Sequence, residues 1–176
     1  MSILQTLSKQ QNKPILIPVP YHKQETKFTC GPAALKMIME YHGDSIGERR
    51  LRKYTKTTSV LGTNHQKLIT ASRKLGYHCF VKQNARPNEV KYFINKGFPT
   101  IINWQEPDTN DGHYSVIFGY ERNFFYVHDP YSPHRKVMEI RSFLPLWHDG
   151  GQQRWFMVTS KEKISTVLRG KTYQPI

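Results

Sequence analysis

The run from Cys30 to Tyr41, CGPAALKMIMEY, constrains this chain more than any other segment, because as a helix it is apolar on two sides. Ala33, Ala34, Met37, Ile38 and Tyr41 recur at helical spacing, while Leu35 and Met39 extend the apolar surface to a second side. A helix of that kind has to be covered by other layers of the fold. Pro32 suits its first turn, where no N–H is required, and Gly43 is a natural stop. Cys30 then stands at the head of the helix, where unpaired N–H groups and partial positive charge favour a thiolate. Most isolated cysteines are packing residues, so Cys30 carries chemistry only if suitable partners reach it.

Around this helix the pattern predicts helices over Ile46 to Tyr54, over Asn64 to Leu75 with Gly76 as stop, and from Pro87 to a stop at Gly97. Strands are expected at Tyr77 to Lys82, Pro99 to Trp104 and Trp155 to Thr159, with a short element near Glu139 to Trp147. Helices grouped before strands predict an α+β domain in which the Cys30 helix packs on a mostly antiparallel sheet. At 176 residues the chain is long enough for one domain with a core that needs no disulfide support. The expected division is an N-terminal extension at 1–18, a folded domain at 19–160 and a basic tail at 161–176, with the polar ends Met1 to Pro14 and Lys161 to Ile176 loosely held.

The segment DGHYSVIFGYERNFFYVHDP reads as a hairpin of aromatic and β-branched strands. A three-residue turn at Glu121, Arg122 and Asn123 sets Tyr120 against Phe124 and His113 against Tyr131, diagonal to Asp129. His113 and Asp129 then share a face with Cβ atoms ~7–8 Å apart or somewhat less. A two-residue turn without a bulge places them on opposite faces instead. In the favourable register Cys30, His113 and Asp129 supply a nucleophile, its base and the carboxylate that orients the base. Gln24, six positions before Cys30, is a candidate to donate its side-chain amide to a developing oxyanion, alongside the Cys30 backbone N–H.

With Gln24, the six-residue step to Cys30, the CGPAALKMIM helix, the GHYSVIFGY strand and the VHDP ending in place, the chain resembles the papain-like bacteriocin-processing cysteine peptidases. These cut double-glycine leaders and occur as N-terminal domains of peptide exporters and as stand-alone relatives. The resemblance runs from about Val19 to Val158 and includes LGTNHQKLITASRKLGY, which is similar to the family's helix after a Gly-Thr turn. It implies a papain-like fold, with Cys30 as nucleophile, His113 as general base, Asp129 as orienter and Gln24 as oxyanion donor. Many family members carry an acidic residue just before the cysteine, where this chain has Thr29. The sequence has no apolar run long enough to span a membrane, so the resemblance is to a stand-alone member without the transporter portion, and leader cleavage is not inherited with it.

The formal net charge of +13 opens a second class of function. Arg49, Arg50, Arg52, Lys53 and Lys56 crowd one segment, and Lys161, Lys163, Arg169 and Lys171 the tail, as a surface that meets an acidic protein, nucleic acid or an anionic membrane does. A solvated helix face explains the same charges, and no nucleic-acid motif accompanies them, so nucleic acid is the minority reading. A non-catalytic papain-like binding module is therefore the alternative to a peptidase. Transfer of the acyl group to an amine other than water uses the same residues as hydrolysis. No cofactor is expected, nor a metal, since no histidine pair has zinc spacing. His128 and His134 read as surface residues, His22 and His65 as candidates for the cleft, Cys79 as core, and Trp104 and Tyr114 as groove candidates by their nearness to His113, though aromatics in strands are more often core. The N-terminus lacks a secretory apolar core, so a reducing cytoplasm is the expected compartment, with delivery by a specialised secretion system left open.

Overall fold

The computed structural model describes residues 13–109, 111–132, 135–151 and 153–176. Eight strands form one sheet: β1 (Ile15–Leu16), β2 (His78–Lys82), β3 (Thr100–Gln105), β4 (Gly112–Glu121), β5 (Phe124–His128), β6 (Arg135–Glu139), β7 (Trp155–Ser160) and β8 (Lys171–Tyr173). Their order is β6-β5-β4-β3-β7-β2-β8, with β1 paired to β4 beyond the end of β3, and every described pairing is antiparallel. The helices are α1 (Cys30–Tyr41), α2 (Glu48–Tyr54), α3 (His65–Lys74), α4 (Pro87–Asn95) and α5 (Ile140–Phe143). The α+β architecture expected from the sequence is the one observed.

Local chemistry sets the helix limits close to their expected places. Asn64 caps α3 by accepting the Lys67 N–H at 2.9 Å, and Gly76 leaves that helix at φ 89°, a conformation that side chains with a Cβ avoid. Pro87 opens α4, where the Glu89 carboxylate accepts the Arg86 N–H at 2.8 Å. α1 lies against β4, α2 and α3. Its Ala33, Ala34, Leu35, Met37 and Met39 are fully buried, each of the larger side chains contributing roughly 1.5–3 kcal/mol through loss of water contact. Both apolar sides of the helix are thus covered, one by the sheet and one by its neighbouring helices.

The hairpin departs from the expected register in two places that cancel. Its turn has two residues rather than three, with Arg122 at φ 46°, so Tyr120 pairs with Phe125 and Glu121 with Phe124. A β-bulge then falls between Ile117 and Gly119, and from there Ile117 faces Val127 and Val116 faces His128. The extra residue, Phe118, returns His113 and Asp129 to one face of the sheet. The bulge lies where β1 adds to the edge: a Cβ on Gly119 would stand 2.5 Å from the Ile15 carbonyl, so only glycine admits that pairing.

Two further corrections concern the ends. Residues 161–176, expected to be loose, carry Ile164 into the core at 6% exposure and place Lys171–Tyr173 on the sheet beside β2. At the other end, Ile15 and Leu16 pair with β4 and Ile17 and Val19 are buried directly after them, so the chain joins the domain from Ile15 on; residues 1–12 of the expected extension, and His134, lie outside the described residues. Between Glu139 and Trp147 only Ile140–Phe143 is helical, and strand β6 before it was absent from the sequence reading. Arg135, Val137 and Glu139 are exposed and Lys136 and Met138 partly buried, so polarity does not follow the period of the strand.

Candidate active site

Cys30 is the first residue of α1, so its N–H has no acceptor within the helix. Thr29, at the N-cap, does not bond back to the first turn. Its Oγ1 faces Thr26, accepting the Thr26 N–H at 3.1 Å and donating to the Thr26 carbonyl at 3.1 Å. The start of α1 therefore keeps its positive end open around Cys30, which is 9% exposed. Gly31 lets Thr63 approach this turn, since a Cβ there would lie 2.8 Å from the Thr63 side chain. Thr63 is itself held by a hydroxyl chain through Thr57 to Thr55.

On β4, His113 donates Nε2–H to Asp129 Oδ1 at 2.6 Å. Asp129, just past β5 and fully buried, also accepts the Tyr131 N–H at 2.9 Å on the same oxygen. With Nε2 bound to the carboxylate, Nδ1 is the nitrogen left for a thiol. Burial works to lower the His113 pKa, but the hydrogen bond to Asp129 and then the one to Cys30 outweigh it and lift it to about 9. Burial likewise opposes ionisation of Asp129, yet its bonds to His113 and Tyr131 and the Lys136 ammonium beside it hold it well below the usual carboxylate range. The face of the imidazole is fixed by Trp104, whose ring meets it edge-on at 5.7 Å and whose Nε1 donates to Ser115 Oγ at 3.0 Å.

Cys30, His113 and Gln24 line one cleft of about 1110 Å³. The Gln24 backbone N–H donates to the Pro130 carbonyl at 2.9 Å, tying the residues before α1 to the turn that carries Asp129. Its side-chain Nε2 donates to the Thr26 carbonyl at 2.7 Å, and its buried Oε1 has no partner among the described residues. One amide hydrogen is thus engaged in the loop and the other is left for a cleft ligand. The walls are acidic despite the charge of the whole chain: Glu106, Asp108, Asp111 and Asp149 line the cleft, with Lys27 as the one lysine among its described lining residues. Val60 and Leu61, 88% and 74% exposed, form part of the rim.

The other histidines divide differently from the sequence reading. His65 does line the cleft, stacked on Trp155 with ring centroids 4.0 Å apart, and burial depresses its pKa to about 4. His22 instead pairs with Glu48 at 2.8 Å outside the residues lining this cleft. His128, expected at the surface, is partly buried, stacked on Phe118 at 4.0 Å and bonded through Nε2 to the Val19 carbonyl at 3.0 Å. The bulge at Phe118 brings that ring against it. Among the described residues two groups have ligand atoms close enough for a cation: His22 with Glu25 and Glu48, and Glu106 with His113 and Asp129. In the first, Glu48 already answers His22 and the Glu25 N–H; in the second, the Lys136 ammonium lies 2.5 Å from Asp129 Oδ2. Of the two groove candidates, Trp104 and Tyr114, both are buried in the core and Tyr114 also borders the cleft. Lys136 and the acidic lining had no signal in the sequence reading, because both depend on which strands and loops become neighbours.

A model of the Peptidase_C39 like family matches residues 16–154. No curated protein sequence matches significantly. Among solved structures, the peptidase domain of Streptococcus ComA, a bi-functional ABC transporter involved in quorum sensing, aligns with a TM-score of 0.66 at 21% identity, covering 80% of this chain and 96% of that one. A double glycine motif protease from an AMS/PCAT transporter, solved with its leader peptide, aligns with a TM-score of 0.66 at 21% identity over 82% of this chain and 92% of that one. A C39-like peptidase from Bacillus anthracis gives 0.66 at 17% identity, over 91% of this chain and all of the other. At these identities the solved structures speak for a common fold.

Proposed function

This chain belongs to the Peptidase_C39 like family, and from that premise we propose that it is a cysteine peptidase whose nucleophile is Cys30. The observation that carries the reading is the His113–Asp129 bond of 2.6 Å in the same cleft as a cysteine at an uncapped helix start. The Cys30 thiol gives its proton to His113 Nδ1, and the thiolate attacks the carbonyl carbon of a bound peptide. The oxyanion is met by the Cys30 N–H and by the free amide hydrogen of Gln24, one such donor being typically worth ~2.7–4 kcal/mol in the transition state. His113 returns the proton to the leaving amine, which leaves a thioester on Cys30. Water, deprotonated by His113, then releases the acid and restores the thiol. An amine in place of water makes the same site an acyl transferase.

The substrate class is a peptide or a related amide. The solved relative with a leader peptide makes a double-glycine leader one candidate, while the acidic cleft walls favour a segment with positive charge. No described helix is long and apolar enough to cross a membrane. Both cysteines are free, which suits a reducing cytoplasm. A binding module on the same fold is the second reading, and the engagement of the Gln24 amide with Thr26 is the observation that favours it. Cys30→Ala separates the two: screened against a peptide library, the wild type yields cleavage products and the variant none, with an unchanged melting temperature. Undiminished turnover in the variant refutes the mechanism.

A further inference from the structure

Asp129 has two carboxylate oxygens and both lie in the interior, the residue being fully buried. Oδ1 is doubly answered, by His113 Nε2–H and by the Tyr131 N–H. Oδ2 meets no hydrogen-bond donor of suitable geometry among the described residues, but the Lys136 ammonium lies 2.5 Å from it. Lys136 reaches this point from β6, where it is paired with Val127 on β5. The ammonium also stands 3.8 Å from Glu106 Oε1 and 5.5 Å from the centre of the Trp104 ring, the ring that meets His113 edge-on. One lysine thus touches two of the groups that orient the imidazole.

We infer that Lys136 is a positioning residue of the active site: its ammonium holds the second oxygen of Asp129 and, through that carboxylate, fixes the imidazole that faces Cys30. The inference rests on the peptidase reading. An exposed ion pair would contribute little, but Asp129 is fully buried, and without the ammonium its Oδ2 has no partner among the described residues, since His113 and Tyr131 hold only Oδ1. The ionisable groups that face the pair come from several elements. They are His113 on β4, Lys136 on β6, Glu106 in the β3–β4 loop, and Tyr21 from the segment before α1, with Cys30 on α1 facing His113. Removing the one fixed cation among them makes each neighbour hold its proton more tightly. The thiolate–imidazolium pair then forms at higher pH.

The test is the pH dependence of Cys30 alkylation by iodoacetamide in the full chain, followed by mass spectrometry of the Cys30 peptide. Wild type is compared with Lys136→Met, Lys136→Gln, Lys136→Arg and His113→Ala. Lys136→Met and Lys136→Gln are expected to move the acid midpoint up by about one pH unit. Glutamine keeps an N–H donor without the charge, and so reports the charge even if methionine fails to fold. Lys136→Arg is expected to restore the wild-type midpoint. A merely structural lysine lowers the rate at every pH without moving the midpoint. A folded Met or Gln variant with the wild-type midpoint overturns the inference, as does an arginine variant that titrates like methionine. If wild type and His113→Ala both titrate as an ordinary thiol, the peptidase reading fails and this one with it. If wild type has a His113-dependent low midpoint that the Lys136 variants leave in place, only the role of Lys136 falls.

Discussion

His113 should make the stability of this protein fall as the solution turns alkaline. Burial alone would lower its pKa, yet the bond to Asp129 and the neighbouring Cys30 raise it from the ordinary 6.5 to about 9. Because the folded value lies above the unfolded one, the stabilisation is fully present below pH 6.5 and is lost as the pH rises through 9. At 1.36 kcal/mol per unit this shift sets an upper bound of about 3 kcal/mol, because the part that Cys30 contributes is offset by the proton Cys30 gives up in the same pair. His113 is only 8% exposed, so little of that is lost to solvent screening. Asp129 acts at the opposite end: its depressed pKa contributes stability that disappears only in acid. Burial pushes the Cys79 thiol up to about 12, but this affects wild type and variant alike and cancels between them. The assay is urea unfolding of wild type and His113→Gln on either side of the window, below pH 6.5 and above pH 9. Wild type is expected to lose more than the variant across it, by at most about 3 kcal/mol. Parallel pH dependence in the two proteins refutes the argument, because His113 then binds its proton no more tightly folded than unfolded.

Three further outcomes follow from the geometry. A positively charged methanethiosulfonate should modify Cys30 faster than a negatively charged one of equal size, on the order of tenfold at low salt and converging as salt rises, although the chain is +13. A faster anionic reagent would mean that the acidic walls do not set the field in the cleft. Gly31→Ala should cost about 1–3 kcal/mol in thermal or urea unfolding, since its Cβ would fall 2.8 Å from Thr63, and it should slow Cys30 alkylation as the helix start shifts; wild-type values in both would show that Thr63 yields freely. Gly170→Ala sets a Cβ 2.7 Å from the Val81 carbonyl, so β8 should separate from β2 and proteolysis in 161–176 should accelerate several-fold; unchanged cleavage would return that segment to a loose tail.

Much of the fold was legible in the sequence because its signals are local. The apolar spacing of Ala33 to Tyr41, Gly76 after α3, Pro87 at the head of α4 and the β-branched and aromatic run of β4 each act within a turn or a strand. The placement of Cys30 at a helix start belongs with these, since it needs only the helix boundary. Tertiary structure decided how those pieces meet. The hairpin turn alone would have put His113 and Asp129 on opposite faces; the bulge at Phe118, beside the close approach of β1 to Gly119, reverses that. Lys136 reaches Asp129 because β6 adds to β5, and the tail is ordered because an unpaired edge of β2 accepts Lys171–Tyr173. Side-chain period and capping are written in neighbouring residues, whereas register, edge pairing and the partners of a buried charge depend on contacts between segments distant in the chain, which no local pattern specifies.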